Sequence, residues 1–338
     1  MSATGGRTAN EDEAETESGR RTLLLFVVAS LTFGTAFVGI KAGLVDLPPV
    51  LFAAIRYDIG AAVLLAYVYR RGGYWRPHTR NDVIAVAIAG VFLSGLNATL
   101  LFSGQQYLTT GTAAVIFSLV PVLAPLFALA LLPEERVDLV GMVGILLGVV
   151  GVAIIVGLNS LSTTGEETAL GVALVGGAAV AAAFGSVLLR RTDRSIPGLG
   201  MTAWALVLAA GLVHGLSLLM GESPTDVTPT LRALVAVLWV GLPATALAFP
   251  AYYGLIDRAG PVRANLISYS VPLVATGVGT VVLGEAIPIR TVLGFAVIVV
   301  GFGLVERRNL EYEVRRLRGL PVPPDHGDEH VCESAPRG

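Results

Sequence analysis

The chain is a succession of apolar runs, each about as long as a lipid bilayer is thick, and few folds can hold so many. A hydrocarbon core about 30 Å thick needs about 20 apolar residues per helix. Reading between polar breaks gives ten such runs, at 22–42, 49–69, 82–103, 109–132, 138–158, 168–189, 199–220, 231–254, 262–283 and 289–305. Connections of at most 12 residues leave no room for a soluble domain between them. Composition agrees: only 14% of the 338 residues are charged, against about 25% in a soluble domain. Much of that charge is in the tails, with five acids and three arginines in residues 1–21 and seven acids and six arginines in 306–338. The sequence predicts an all-α integral membrane protein.

Arginine and lysine placement gives the orientation, because positive residues gather on cytoplasmic loops. With the N-terminus inside, cytoplasmic segments hold 19 of the 23 basic residues. Lys41, Arg232 and Arg290 fall outside, and Arg56 falls within the second span. Ten transmembrane helices with both termini cytoplasmic are therefore expected, in a multi-pass plasma-membrane protein. The pair Arg20-Arg21 superficially resembles a twin-arginine export signal. Nine further spans and the lack of an A-x-A site make it a cytoplasmic anchor for the first helix instead.

Several function classes fall away. A net charge of −2 offers no basic field for nucleic acid. The one cysteine, Cys332, cannot build a disulfide framework or a cysteine-based zinc site. No G-x-x-x-x-G-K-[ST] phosphate loop is present, so neither ATP-driven pumping by this chain nor any cofactor is expected. The tail "DHGDEHVC" contains Asp325, His326, Asp328, His330 and Cys332, and reads as a solvated end with no metal site.

The two halves of the chain read alike. Residues 109–151 align with 260–301, matching Ala113 with Ala264, Pro121 with Pro272, Glu135 with Glu285, Gly144 with Gly294 and Gly151 with Gly301. Pro49–Arg56 corresponds to Pro197–Trp204. A unit of five spans is odd, so the second copy must enter the membrane from the opposite side. The expected organisation is an acidic N-terminal tail (1–21), a first five-helix repeat (22–158), an outer linker (159–167), an inverted second repeat (168–305) and a cytoplasmic tail (306–338). Inverted repeats are a known architecture of secondary transporters, with the ligand site near the midplane where the halves meet.

The segments "FGTAFVGIKAGL", "PPVLFAAIRYDIGAAVLL", "SLVPVLAPLFALALLPEE", "AAFGSVLLRR" and "SYSVPLVATGVGTVVLGE" resemble the EamA type of the drug/metabolite transporter superfamily. The resemblance covers about 22–305. It implies a metabolite or drug permease, often an exporter, with a central cavity between the halves. The family's first helix often has Trp and Asn where this chain has Phe33 and Ala36. No relative's substrate follows from the resemblance.

Charges within spans mark functional sites by default. Arg56 and Asp58 lie in the second span, and at i, i+2 they point to different faces. Resemblance puts Arg56 at a position commonly basic in the family; it could bind an anionic solute or organise interhelical carbonyls. Asp58 is the one carboxylate deep in a span and the candidate for proton coupling, with a structural hydrogen-bonding role as the competing reading. His214 is the one intramembrane histidine, read as packed and hydrogen-bonded. Polar residues suited to line a solute cavity are Thr35, Asn97, Ser118, Ser186, Trp204, Tyr252, Tyr253, Asn265, Ser268 and Tyr269. Each could equally bridge helices. Glu135 and Glu285 precede the last helix of each repeat, where a carboxylate favours the helix N-terminus; with Pro121 and Pro272 they form a structural or gating set. Gly141, Gly144, Gly148 and Gly151 read as a close-packing face, with dimerisation a further use. The expected partners are a small solute and membrane lipids. The competing reading is a membrane enzyme acting on a lipid-linked substrate, but the longest cytoplasmic loop, Arg70–Asn81, lacks the clustered aspartates of its metal-dependent forms. A sensor or scaffold lacks an output domain.

Overall fold

The computed structural model of the protein describes residues 9–131, 139–156, 165–305 and 307. All of its regular elements are helical. Helix α1 is Ala9–Gly43 and α2 is Pro49–Arg71. Helix α3 runs Arg80–Ile88, passes through a π segment at Ala89–Leu96 and ends as Asn97–Gln105. Helix α4 is in two pieces, Thr110–Phe117 and Val120–Leu131, followed by α5 at Leu139–Val156. The second half holds α6 at Gly165–Arg190 and α7 at Gly198–Leu219. Helix α8 runs Leu231–Gly241, a π segment at Leu242–Leu247, and Ala248–Asn265. Helices α9 and α10 are Ile267–Leu283 and Ile289–Val305. Among the described residues, seven helices are long and apolar enough to cross a membrane, and three shorter apolar helices, Leu139–Ile155, Ile267–Leu283 and Ile289–Val305, accompany them.

Local sequence explains most boundaries. Thr79 and Asp82 form a capping box at the start of α3, and Thr109 and Thr230 cap α4 and α8. Pro49 opens α2, where its missing N–H costs nothing. Gly284, at φ 66°, ends α9 in the left-handed region. Two helices run on past their expected spans. The first span, Arg20–Gly43, agrees with 22–42 to within two residues, but helix α1 already begins at Ala9, because "ANEDEAETESGRR" holds good helix formers and no proline. The expected linker 255–261 is helical, and the only break before α9 is at Leu266, so 262–265 belong to α8.

The helices pair in a pattern that is unchanged when the two halves are exchanged. Helix α2 packs on α7 and α5 on α10. Helix α1 lies against α8 and α9, and its counterpart α6 lies against α3 and α4. The π segments occupy matching helices and matching environments: that of α3 faces α7, and that of α8 faces α2. Each half thus completes the other. Lipid tails give little hydrophobic drive for this pairing, so it depends on close approach. At α5 and α10 a Cβ added to Gly144 would lie 2.4 Å from the Gly301 carbonyl oxygen, and one on Gly294 would lie 2.5 Å from that of Gly151. These glycines of α5 are spent on α10 of the same chain. Large apolar side chains face outward instead, with Val281 85% and Leu219 84% exposed.

Candidate functional site

Aromatic rings meet where α1 of the first half faces α8 of the second. Phe33 of α1 meets Phe249 and Tyr252 of α8 edge-on at 5.8 and 6.3 Å, and Phe37 meets Phe117 of α4 at 6.1 Å. Backbone irregularities flank these rings. Helix α4 breaks at Ser118-Leu119, just before Pro121, within the span. Broken helices are tolerated at membrane depth where protein or a cavity satisfies the freed groups. Its counterpart α9 keeps Pro272 inside an unbroken helix. The expected kink pair is therefore unequal: Pro121 follows a true break and Pro272 does not.

Arg56, half-buried within α2, faces α3 of its own half. Its guanidinium lies 4.4 Å from the Tyr57 ring centroid and 4.8 Å from that of Phe102, and its Nη2 donates to the Tyr57 hydroxyl at 2.7 Å. Tyr57 in turn donates to the Ser94 carbonyl, at 3.1 Å, in the π segment of α3. Among the described residues Arg56 has no carboxylate partner, and its Nε is buried without a hydrogen bond. Desolvating a guanidinium without a counter-charge is costly, so ring faces and a hydroxyl supply only part of what it needs.

Asp58 diverges from Arg56 and crosses to the other half. Its Oδ2 lies 2.8 Å from His214 Nε2 of α7, joining the two titratable residues that stand out in the spans. Both are about half exposed, at 52% and 41% of the side chain, on the outer edge of the α2–α7 seam. Asp58 is nine residues into α2, about 13 Å along the axis at 1.5 Å per residue.

The remaining sequence candidates separate. Asn97 is buried on α3, and Ser268 shares a face of α9 with the buried Pro272. The hydroxyls of Ser118 and Ser186 donate to their own helices, at Val115 and Ala183, each at 2.7 Å. Thr35 is turned away from Phe33 and Phe37: it donates to the Leu31 carbonyl, accepts from Trp239, and shares a face with the outward Leu31. Tyr269 stacks on Phe302 of α10 at 4.2 Å. Trp204 and Tyr253 lie toward the end of the bundle that carries loop 72–79. Trp204 stacks on Trp75, and Tyr253 shares a 2.9 Å hydrogen bond with Thr202. The side chain of Asn265 and all of Glu135 lie outside the described residues.

Glu285 corrects one expectation. Its carboxylate does not serve α10 but accepts from the Thr110 amide, at 2.9 and 3.1 Å, and from the Thr110 hydroxyl, at the start of α4 in the other half. The short α9–α10 connection carries it across the seam, where four orphan amides offer more than its own helix does. Glu222 makes the same kind of tie, accepting from Val50 and Leu51 at the start of α2. Asp46 accepts from Thr230 and, through both oxygens, from Arg232. The Arg232 hydrogen bond, with that of Thr230, holds the Asp46 carboxyl down at about 2. These three carboxylates tie the halves together at the end bearing loops 44–48, 106–109, 220–230 and 284–288. Lys41 at the same end donates to the Gln105 and Gln106 carbonyls closing α3, both at 3.0 Å. At the opposite end Asp82 accepts from the Ser195 and Ile196 amides, both at 2.9 Å, just before α7. Asp82 and Glu222 thus hold equivalent helix starts in the two halves.

The Asp58–His214 pair and the four cross-half carboxylate ties were not foreseen. A sequence signal existed for the first: two rare titratable groups in otherwise apolar spans invite a test for pairing. The carboxylate ties carry no local signal, since each partner is more than 110 residues away.

Two interlocked copies of an apolar helical unit, with a half-buried arginine in the second span that has no described carboxylate partner, define a multi-pass membrane transporter of duplicated design. The chain belongs to the EamA-like transporter family, whose model matches twice, at residues 20–157 and 169–307. An uncharacterized transporter of Archaeoglobus fulgidus is 26% identical over 84% of this chain and 99% of its own length. The uncharacterized inner membrane transporter YedA of Escherichia coli K12 is 29% identical, covering 81% and 87%. A probable terminal-alkyne amino-acid exporter of Streptantibioticus cattleyicolor is 27% identical, covering 84% and 93%. A crystal structure 26% identical in sequence superposes with a TM-score of 0.59, covering 84% of this chain and 96% of the other.

Proposed function

We propose that the protein exports a small carboxylate-bearing metabolite across the plasma membrane by alternating access, with ten spans, inverted halves and both termini in the cytoplasm. The pairing of helices across the seam carries this reading: because each half is completed by the other, a rocking motion of one against the other exposes the seam to either side in turn. The Asp46, Glu222 and Glu285 ties then act at the outer end, which they hold closed. Arg56 is the anchor for the solute. A carboxylate would supply the counter-charge that the Tyr57 and Phe102 rings leave missing, through a charge-assisted hydrogen bond stronger than a neutral one. An amino-acid-like solute fits this chemistry, in keeping with the name of the Streptantibioticus relative. The Asp58–His214 pair bridges the halves apart from the solute, so protonation of the pair would bias the seam and couple export to a proton gradient.

Reconstituted vesicles given a panel of amino acids, uncharged nucleosides and sugars, with and without a pH gradient, test this. Carboxylate-bearing solutes should move, and Arg56→Gln should cut their movement about tenfold or more, as loss of a charged hydrogen bond of about 1.5–3 kcal/mol requires. Arg56→Lys should retain part of it. Preferred movement of uncharged solutes would overturn the assignment, and product formation without solute movement would favour a membrane enzyme.

A further inference from the structure

The outer rim of the α2–α7 seam holds a second feature that the transport reading does not use. At the end bearing loop 72–79, a pocket of about 560 Å³ is lined by Leu65, Ala66, Tyr69, Trp75, Arg76 and Trp204. Gly72 and Gly73, at φ 69° and 80°, turn the chain so that Trp75 lies back on α7. A Cβ on Gly200 would stand 3.2 Å from the Trp75 carbonyl, so glycine there allows the approach. The Trp75 and Trp204 rings stack nearly parallel, 6.1 Å apart, and the Trp204 indole donates to the Trp75 carbonyl at 3.1 Å. Tyr69 closes edge-on against Trp75 at 5.8 Å.

We propose that this pocket holds the headgroup of an anionic phospholipid, with an acyl chain lying along the outward groove between α2 and α7. The Arg76 guanidinium lies over the Trp75 ring, 4.6 Å from its centroid, and among the described residues it has no carboxylate partner. Of the two acids at this end, Asp82 is already engaged by Tyr74 and by the Thr79, Ser195 and Ile196 amides, and the exposed Asp193 stands beside Asn81, outnumbered by the arginines. Arg70, Arg71 and Arg80 at the same end are likewise unpaired with any described carboxylate, so the rim is positive. The pocket floor is apolar, and the groove running from it along the seam stays shallow: Ala62 and Ala66 are exposed, and a Cβ on Gly211 would meet nothing within 4 Å. A free anion would have no use for an apolar groove, whereas a phosphate ester bearing acyl chains matches both parts. Aromatic rings and arginines at the ends of spans sit where headgroups lie. The inference rests on the bundle spanning a bilayer and is independent of any solute.

The full chain in nanodiscs containing a minority of tail-brominated phosphatidylglycerol or tail-brominated phosphatidylcholine provides the test, read as quenching of tryptophan emission without added solute. Phosphatidylglycerol should quench more strongly, and Arg76→Gln should reduce that preference about fivefold, the share of one basic residue at a membrane surface. Arg76→Lys should retain most of it, and Arg290→Gln, an exposed change at the other end, should leave it unchanged. Equal quenching by the two lipids, or an unaltered preference in Arg76→Gln, would overturn the proposal. Because the bromines are on the acyl chains, binding of free phosphate cannot mimic the signal.

Discussion

Gly301→Ala should lower the thermal unfolding midpoint of the purified protein by several degrees, while Gly303→Ala, two residues along the same helix, should leave it unchanged or raise it. The added Cβ at 301 would lie 2.5 Å from the Gly144 carbonyl oxygen and 3.1 Å from the Gly148 nitrogen. Backbone cannot swing aside as a side chain can, so α5 and α10 must separate along their length, at about 1–3 kcal/mol for overpacking of this kind. A Cβ at 303 meets nothing within 4 Å, and alanine is the better helix former by about 1 kcal/mol. Gly301→Leu should go further and prevent recovery of folded protein. Equal midpoints for the two alanine variants would mean that the α5–α10 contact is looser than described here.

Asp58→Asn should abolish uphill movement of solute driven by a pH gradient while leaving downhill exchange intact. Asparagine can keep a hydrogen bond to His214 but cannot take or give up the proton, so the bridge between α2 and α7 would no longer respond to pH. No other carboxylate or histidine on α2 or α7 is described within reach of the pair, and the nearest charged groups contact other residues. Arg56 lies against Tyr57 and Phe102, Glu222 is held by Ser217 and the α2 amides, Arg232 is paired with Asp46, and Asp82 closes the start of α7. On the proposed coupling, no neighbour would take over the proton in this variant. His214→Gln should show the same defect, since half of the pair is gone. Gradient-driven accumulation that survives in Asp58→Asn would remove the pair from the mechanism.

The helices were readable where length and apolarity alone decide. The start of α10 at Ile289 follows from a polar connection ending in Pro288, and α5 from an uninterrupted run. Where good helix formers continue past the apolar stretch, as in residues 9–21, hydropathy marks the span, Arg20–Gly43, but not the start of the helix. The π segments of α3 and α8 were not readable at all. Apolar content says nothing about whether a carbonyl is met four or five residues on, although Pro243 at the start of the second segment removes an N–H and favours the change.

The candidate site was legible residue by residue and not as an arrangement. Arg56 and Asp58 stood out because charge in a span is expensive, and their divergence followed from the helix period. That Asp58 meets a histidine 156 residues away depends on how α2 packs on α7, which no local pattern encodes. Thr35 shows the reverse failure. Polarity suggested a cavity, but its hydroxyl is satisfied by its own helix and by Trp239, which lets it face outward at little cost. Glu285 was rightly linked to a helix start and assigned to the wrong helix, because the seam brings Thr110 closer than its own chain does.

Sidedness of equivalent loops is the most direct test of inverted halves. Loops 72–79 and 220–230 follow the second helix of each half, so inversion requires them to lie on opposite sides of the membrane. With Cys332 replaced by serine, His78→Cys and Thr225→Cys would each be exposed to a membrane-impermeant maleimide in intact cells. Labelling of position 225 alone, with position 78 reacting only after permeabilisation, is the predicted result. Labelling of both positions from the same side would show parallel halves and contradict the alternating-access account.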